Sequence, residues 1–210
     1  MSRIRPFLAR FARRLVRGGA DGNERLTALT AVVLVLLLIA EGVTILRIGS
    51  LLTPHEFIGM LLIPPVALKL ATTGYRFIRY YRGRTAYVLK GPPRLLLRVV
   101  VAPVLVATTV VVFGSGVALL LLHERHGTLV GVHKVAFVVW GVAFGLHLLA
   151  YGIRVPTVLA REWRERAPGR ALRYSLVAVA ILAGLVLALG TVPLTDHWRD
   201  HNLPHQLDVD

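Results

Sequence analysis

The chain has 210 residues, is 55% hydrophobic with a mean hydropathy of +0.65, and carries a formal net charge of +14. A soluble domain of this length has more charge and less unbroken apolar sequence, so lipid is the expected solvent for most of it. The basic residues sit between apolar segments rather than on one folded surface, which argues against nucleic acid, and the absence of cysteine excludes disulfides, thiolate metal sites, iron–sulfur clusters and covalent c-type haem attachment.

Residues 1–24 read as an amphipathic arm. Ile4, Phe7, Leu8, Phe11 and Leu15 recur at helical spacing, with Arg3, Arg10, Arg13, Arg14 and Arg17 mostly elsewhere around the wheel. Such a segment suits the anionic inner leaflet or serves as a partner-binding arm, and Gly18, Gly19, Asp21 and Gly22 then read as a hinge. Arg13-Arg14-Leu15 has the look of a twin-arginine signal, but no small-residue cleavage site follows it.

Crossing a bilayer takes about 20 apolar residues of helix. Five segments within 25–195 qualify, roughly Leu26 to Leu46, His55 to Ile78, Leu95 to Leu122, Val130 to Ile153 and Leu172 to Leu194, which predicts an all-α membrane bundle of five spanning helices. Helix two carries Pro64 and Pro65, predicting a mid-membrane bend, and ends in the aromatic and basic belt Gly74 to Gly83. That belt, Arg76 included, is suited to anchoring at headgroups or to holding the anionic edge of a cofactor. Lys90-Gly91-Pro92-Pro93 reads as a rigid turn, and helix three ends with Gly114-Ser115-Gly116, which permits close approach of a backbone or a flat ligand.

Seven, seven and six of the 25 Lys and Arg lie in or beside the N-terminal segment, the link between helices two and three, and the link between helices four and five. This positive-inside pattern puts those three segments in the cytoplasm and the tail, 196–210, outside.

Ionisable groups at membrane depth need a partner or a role. His133 and His147 are 14 residues apart on helix four, about 21 Å along one helix and turned by only about 40°. His55 opens helix two at the level of His133, and Lys69 follows 14 residues later at the level of His147. Two donor nitrogens facing each other from neighbouring helices are what axial ligation of a haem requires. Gly59, Gly141 and Gly145 clear space for a porphyrin or serve tight helix packing.

Other roles stay open for each residue: interfacial hydrogen bonds for His55 and His133, a bond to a carbonyl freed by the kink for His147, and ligation, propionate pairing or snorkelling for Lys69. Glu41 reads as a hydrated helix end or a proton or quinone contact. His123 and His126 in an outer loop and His197, His201 and His205 in the tail allow capture of copper or zinc, although Pro204 interrupts the tail.

His55-Glu56-Phe57-Ile58-Gly59, and His133-Lys134 with Phe137 and Trp140 leading to His147, give a pattern that resembles bacterial membrane cytochromes b of the cytochrome b561 and ferric-reductase-like type. Leu68 to Leu70, Gly74 to Phe77 and Gly91 to Pro93 also resemble a succession in small actinobacterial proteins. The resemblance covers helices two to four. It implies noncovalent haem b on paired histidines in the bacterial cytoplasmic membrane, with electrons passing between a quinol or a partner oxidoreductase, such as a molybdopterin enzyme, and another carrier. Lys69 stands where a second helix-two histidine is expected, so one haem on His55 and His133 is implied, and a second near His147 and Lys69 is left open. The alternatives are a cofactor-free subunit or small transporter with a His-lined proton path, and a metal sensor using the outer histidines. An enzyme complete in this chain is not expected.

Overall fold

A computed structural model describes residues 19–91, 95–123, 127–165 and 168–200, with residues 195–200 in backbone alone. Residues 1–18 of the amphipathic arm, His126 and the side chains of the tail histidines lie outside the described residues. Among the described residues there is no strand, and five helices are long and apolar enough to cross a membrane. These are helix one (Gly19–Leu46), helix two (Ile48–Tyr81), helix three (Leu97–Leu122), helix four (Thr128–Tyr151) and helix five (Arg170–Asp200, spanning to Leu194). Large apolar side chains such as Leu36, Val110, Val135 and Val186 face outward from four of them, as a surface in contact with lipid requires.

Helix two is the central element. Helices one and five pack along it, while helices three and four form an antiparallel hairpin that reaches helix two through helix three. A single residue, Arg47, turns the chain from helix one into helix two. Helix two therefore starts at Ile48, so His55 lies two turns inside it; His133 similarly lies in the second turn of helix four, and helix three continues to Leu122 beyond the Gly-Ser-Gly segment.

The expected mid-membrane break is displaced. Backbone dihedrals leave the helical region at Leu51 (φ −114°, ψ 25°), three residues before Pro54, and remain helical through Pro64 and Pro65. The ring of Pro54 conflicts with the carbonyl four residues earlier, and a chain that has just turned at Arg47 yields there most easily. Pro64 and Pro65 free the carbonyls of Met60 and Leu61 without breaking the helix. Helix five covers one of them: a Cβ at Gly184 would lie 2.3 Å from the Leu61 carbonyl oxygen. Ala180, Gly184 and Ala188 recur every four residues, with Ala180 and Ala188 buried, so small residues carry the close approach of helix five to helix two.

Helix three opens with a π-helical turn, Leu97–Val101, just ahead of Pro103, where the wider ring accommodates a residue with no N–H to donate. Two further helices lie beyond the spans, Thr85–Val88 after helix two and Arg154–Glu165 between helices four and five. The second is amphipathic and was not legible in the basic link. The expected hinge is also shorter than its glycines suggest: Gly19 has a positive φ of 59°, but Asp21 and Gly22 are already helical.

The end of the bundle bearing the links from helix two to three and four to five is dense in arginine. There Glu162, fully buried, takes two hydrogen bonds from the Arg173 Nη2 (2.6 and 2.9 Å), one from its Nε (3.0 Å) and one from Arg25 Nη1 (3.1 Å). Arg25 also pairs with Glu165, and Lys90 with Asp21 (2.5 Å) and Glu24. Helices one and five and the amphipathic helix thus meet on one carboxylate.

Candidate functional site

The opposite end, where helix one gives way to helix two, holds the histidine pair. Helices one and two run antiparallel from the Arg47 turn, which brings Glu41 and Thr44, on one face of helix one, beside His55. Glu41 Oε1 lies 2.9 Å from His55 Nδ1 and Thr44 Oγ1 lies 3.2 Å from the same nitrogen. Thr44 is buried, and its hydroxyl also bonds the Glu41 carbonyl at 2.6 Å. A carboxylate accepts, so His55 donates from Nδ1 and its Nε2 keeps the free lone pair.

The hairpin of helices three and four supplies the second imidazole. Ser115 Oγ lies 2.9 Å from His133 Nδ1 and donates its own hydrogen to the Val111 carbonyl at 2.6 Å. Having donated once, the hydroxyl can accept from His133 Nδ1–H, and the Val112 carbonyl also accepts from this ring. Gly116 makes room for the ring: a Cβ there would lie 3.2 Å from His133 Cε1.

The two rings lie edge to face between helices two and four, with centroids 6.4 Å apart and planes at 84°. Around them lies a mostly apolar cavity of about 630 Å³, whose lining includes Glu41, Gly59, Gly116, Phe137 and Trp140. That volume is in the range of small-molecule and cofactor sites. Trp140 is fixed by a 3.0 Å bond from its Nε1 to Thr109 Oγ1 and stacks on Phe144 at 4.9 Å, so this wall of the cavity is aromatic and its polar atom is satisfied.

The separation of the rings has a chemical meaning. A metal–imidazole bond is about 2.0 Å and a ring nitrogen lies roughly 1.1 Å from its ring centre, so two imidazoles on opposite sides of one metal have centroids about 6 Å apart. Each ring is also oriented through its other nitrogen, one by a carboxylate and one by a hydroxyl, as metal-ligating histidines usually are. No group of three His, Asp or Glu side chains that could hold a metal ion occurs among the described residues.

The remaining predicted residues lie elsewhere. Gly59 lines the cavity, where a Cβ would meet Glu41 Oε1 at 3.7 Å, but Gly141 and Gly145 have open space around them and do not border it. Lys69 donates to the Thr27 carbonyl of helix one at 2.9 Å, which answers its burial without an anionic partner. His147 is half-buried against the Tyr151 ring at 4.9 Å, within electrostatic range of Lys69 but outside the cavity. Arg76, 21 residues after His55, is about 32 Å along helix two from it and belongs to the arginine end.

The pairing of Glu41 with His55 replaces the hydrated-end reading of Glu41. Its signal was the short turn at Arg47, which folds positions 41 and 55 to one level. Ser115 had its signal in the Gly-Ser-Gly segment, read as permitting close approach of a backbone or a flat ligand. No family model, curated protein or solved structure matches the chain.

Proposed function

We propose that this chain is a membrane cytochrome b that holds one haem between His55 and His133 and transfers electrons. The observation that carries the reading is the pair of imidazoles, each hydrogen-bonded at Nδ1, with ring centres 6.4 Å apart and both lining an apolar cavity. When bound, a haem supplies reversible one-electron chemistry at its iron. The chain's own contribution is to present two nitrogen ligands in fixed tautomers, to exclude water with apolar walls, and to set ligand basicity through unlike partners, the Glu41 carboxylate and the Ser115 hydroxyl.

The positive-inside rule favours the arginine end as the cytoplasmic one, in a bacterial inner membrane, and so the haem near the outer surface. A haem near one surface suits exchange with a quinol or with a partner oxidoreductase, of molybdopterin type among others. Lys69 and His147 do not form a second paired site, which favours one haem over two.

The test is a dithionite-reduced minus air-oxidised spectrum of the detergent-purified protein, with pyridine haemochrome quantification per chain. One b-type haem per chain, lost in His133→Ala and retained in His147→Ala, is expected. Absence of haem after haem-replete expression would sink the reading and favour a cofactor-free subunit or transporter in which the Glu41–His55 pair carries protons. A stoichiometry of two with partial loss in His147→Ala would add a second haem.

A further inference from the structure

Helix four ends at Tyr151, and after Gly152 and Ile153 the chain enters the amphipathic helix Arg154–Glu165, with Pro156 in its first turn, where a missing N–H breaks no helical bond. At about 100° per residue this helix divides into three sectors. Val155, Val158, Leu159 and Glu162 turn toward the bundle: the first three are half-buried, and Glu162 is fully buried between Arg25 of helix one and Arg173 of helix five. Arg154, Thr157, Arg161 and Arg164 form an exposed basic strip. Pro156, Ala160 and Trp163 form an exposed apolar strip, which Ile153 extends backward; Ile153 is 83% and Trp163 69% exposed.

An amphipathic helix that only covers a bundle needs one apolar side, and that side is already used here, so the second apolar strip calls for an occupant. The strip continues the outer face of spanning helix four, where Leu149, four residues before Ile153, is 76% exposed to lipid. Tryptophan, a large apolar ring with one N–H, belongs at the border of hydrocarbon and headgroups. The arginines beside it keep their charge for an outside partner, because Glu162 is held by Arg25 and Arg173, Glu165 by Arg25, and Asp21, which also lies in the field of Arg161, by Lys90. We infer that the helix Arg154–Glu165 lies in the plane of the adjoining leaflet, with Ile153, Pro156, Ala160 and Trp163 among acyl chains and Arg154, Arg161 and Arg164 on the headgroups of anionic phospholipid. Glu162 fixes the helix to helices one and five, so the docking surface is formed before lipid arrives. The inference uses neither the haem reading nor the direction of insertion.

The experiment is quenching of tryptophan fluorescence in nanodiscs holding the full chain, made from equal parts dioleoylphosphatidylglycerol and dioleoylphosphatidylcholine, with one or the other dibrominated in its acyl chains. The chain has three tryptophans, and Trp140 and Trp198 are common to the wild type and Trp163→Phe, so the difference isolates Trp163. Quenching lost in Trp163→Phe, and stronger when phosphatidylglycerol carries the bromine, is expected. Arg161→Gln with Arg164→Gln should lower that preference by at least about twofold, while the charge-matched pair Arg82→Gln with Arg84→Gln keeps it. Equal quenching of the wild type and Trp163→Phe, equal quenching by the two lipids, or the same loss in the charge-matched pair would each overturn the inference. Because the chain has no cysteine, Ala160→Cys and Thr157→Cys give an independent reading with a water-soluble maleimide in the same nanodiscs, which decides the matter if a tryptophan or arginine variant does not fold. Labelling at least about tenfold slower at position 160 than at 157 is expected for an immersed strip. Equal labelling would overturn the inference, and so would slow labelling at 160 without quenching of Trp163, the mark of a protein partner or a second copy on the strip.

Discussion

The two ends of the bundle treat their polar groups in opposite ways. At the arginine end, Glu162 is enclosed by Arg25 and Arg173, and Lys90 by Asp21 and Glu24, so these charges close on one another. At the histidine end, Glu41 and Ser115 satisfy one nitrogen of each imidazole and leave the other facing a cavity. Closed networks hold helices together, whereas imidazoles tied down at one nitrogen beside a cavity can offer the other to a ligand.

The largest effect expected is at the histidine end. His55→Ala should abolish haem binding while the helical content is kept, because the cavity contributes little to the packing of helix two on helices one and five. Next comes the closed network. Glu162→Ala leaves two buried arginines facing each other and should lower unfolding stability in detergent by about 3–5 kcal/mol, with haem per folded chain unchanged. Loss of haem in that variant would blur the distinction between the ends.

Gly184→Leu tests what holds helix five to helix two. A side chain there meets the Leu61 carbonyl, and destabilisation of at least about 1–3 kcal/mol is expected, measured by chemical unfolding. Glu41→Gln should keep the haem, since His55 still has a hydrogen-bond acceptor, but raise its midpoint potential by on the order of 60 mV in a spectroelectrochemical titration, because a neutral amide makes the ligand less basic. An unchanged potential would make Glu41 a purely structural partner. The smallest effect is at Lys90. Burial lowers its pKa, but the hydrogen bonds it donates to Asp21 and Glu24 outweigh that and raise it overall. Its folded value then exceeds the unfolded one, so its stabilisation is complete below the ordinary lysine pKa of about 10.4 and declines as pH rises through the raised value. Lys90→Met should remove that alkaline decline from a stability–pH profile.

Much of this arrangement was legible because it depends on properties local to a segment. Helix positions follow from apolar length, and the shared level of His55 and His133 follows from where each sits in its span. Azimuth was harder. Lys69 and His147 were placed at one depth by their spacing, yet Lys69 turns to the Thr27 carbonyl of helix one. Glu162 looked like one of a few acids in a basic link, because its partners Arg25 and Arg173 come from other helices. The Ala180, Gly184 and Ala188 spacing was visible in the sequence, but its meaning required knowing which carbonyl Pro65 frees and that helix five covers it. The bend placed at Pro64 and Pro65 illustrates the same point: proline fixes the donors that are lost, while the surrounding packing decides where the backbone departs from the helix.

The central claim is that His55 and His133 present their Nε2 atoms to one iron. Chemical rescue tests it most directly: His133→Gly, purified from haem-replete cells, is titrated with free imidazole while the visible spectrum is recorded. Restoration of the wild-type reduced b-type spectrum, saturating at one haem per chain, is the predicted result, with His147→Gly showing that spectrum before any imidazole is added. A wild-type spectrum in His133→Gly before imidazole is added would contradict the account.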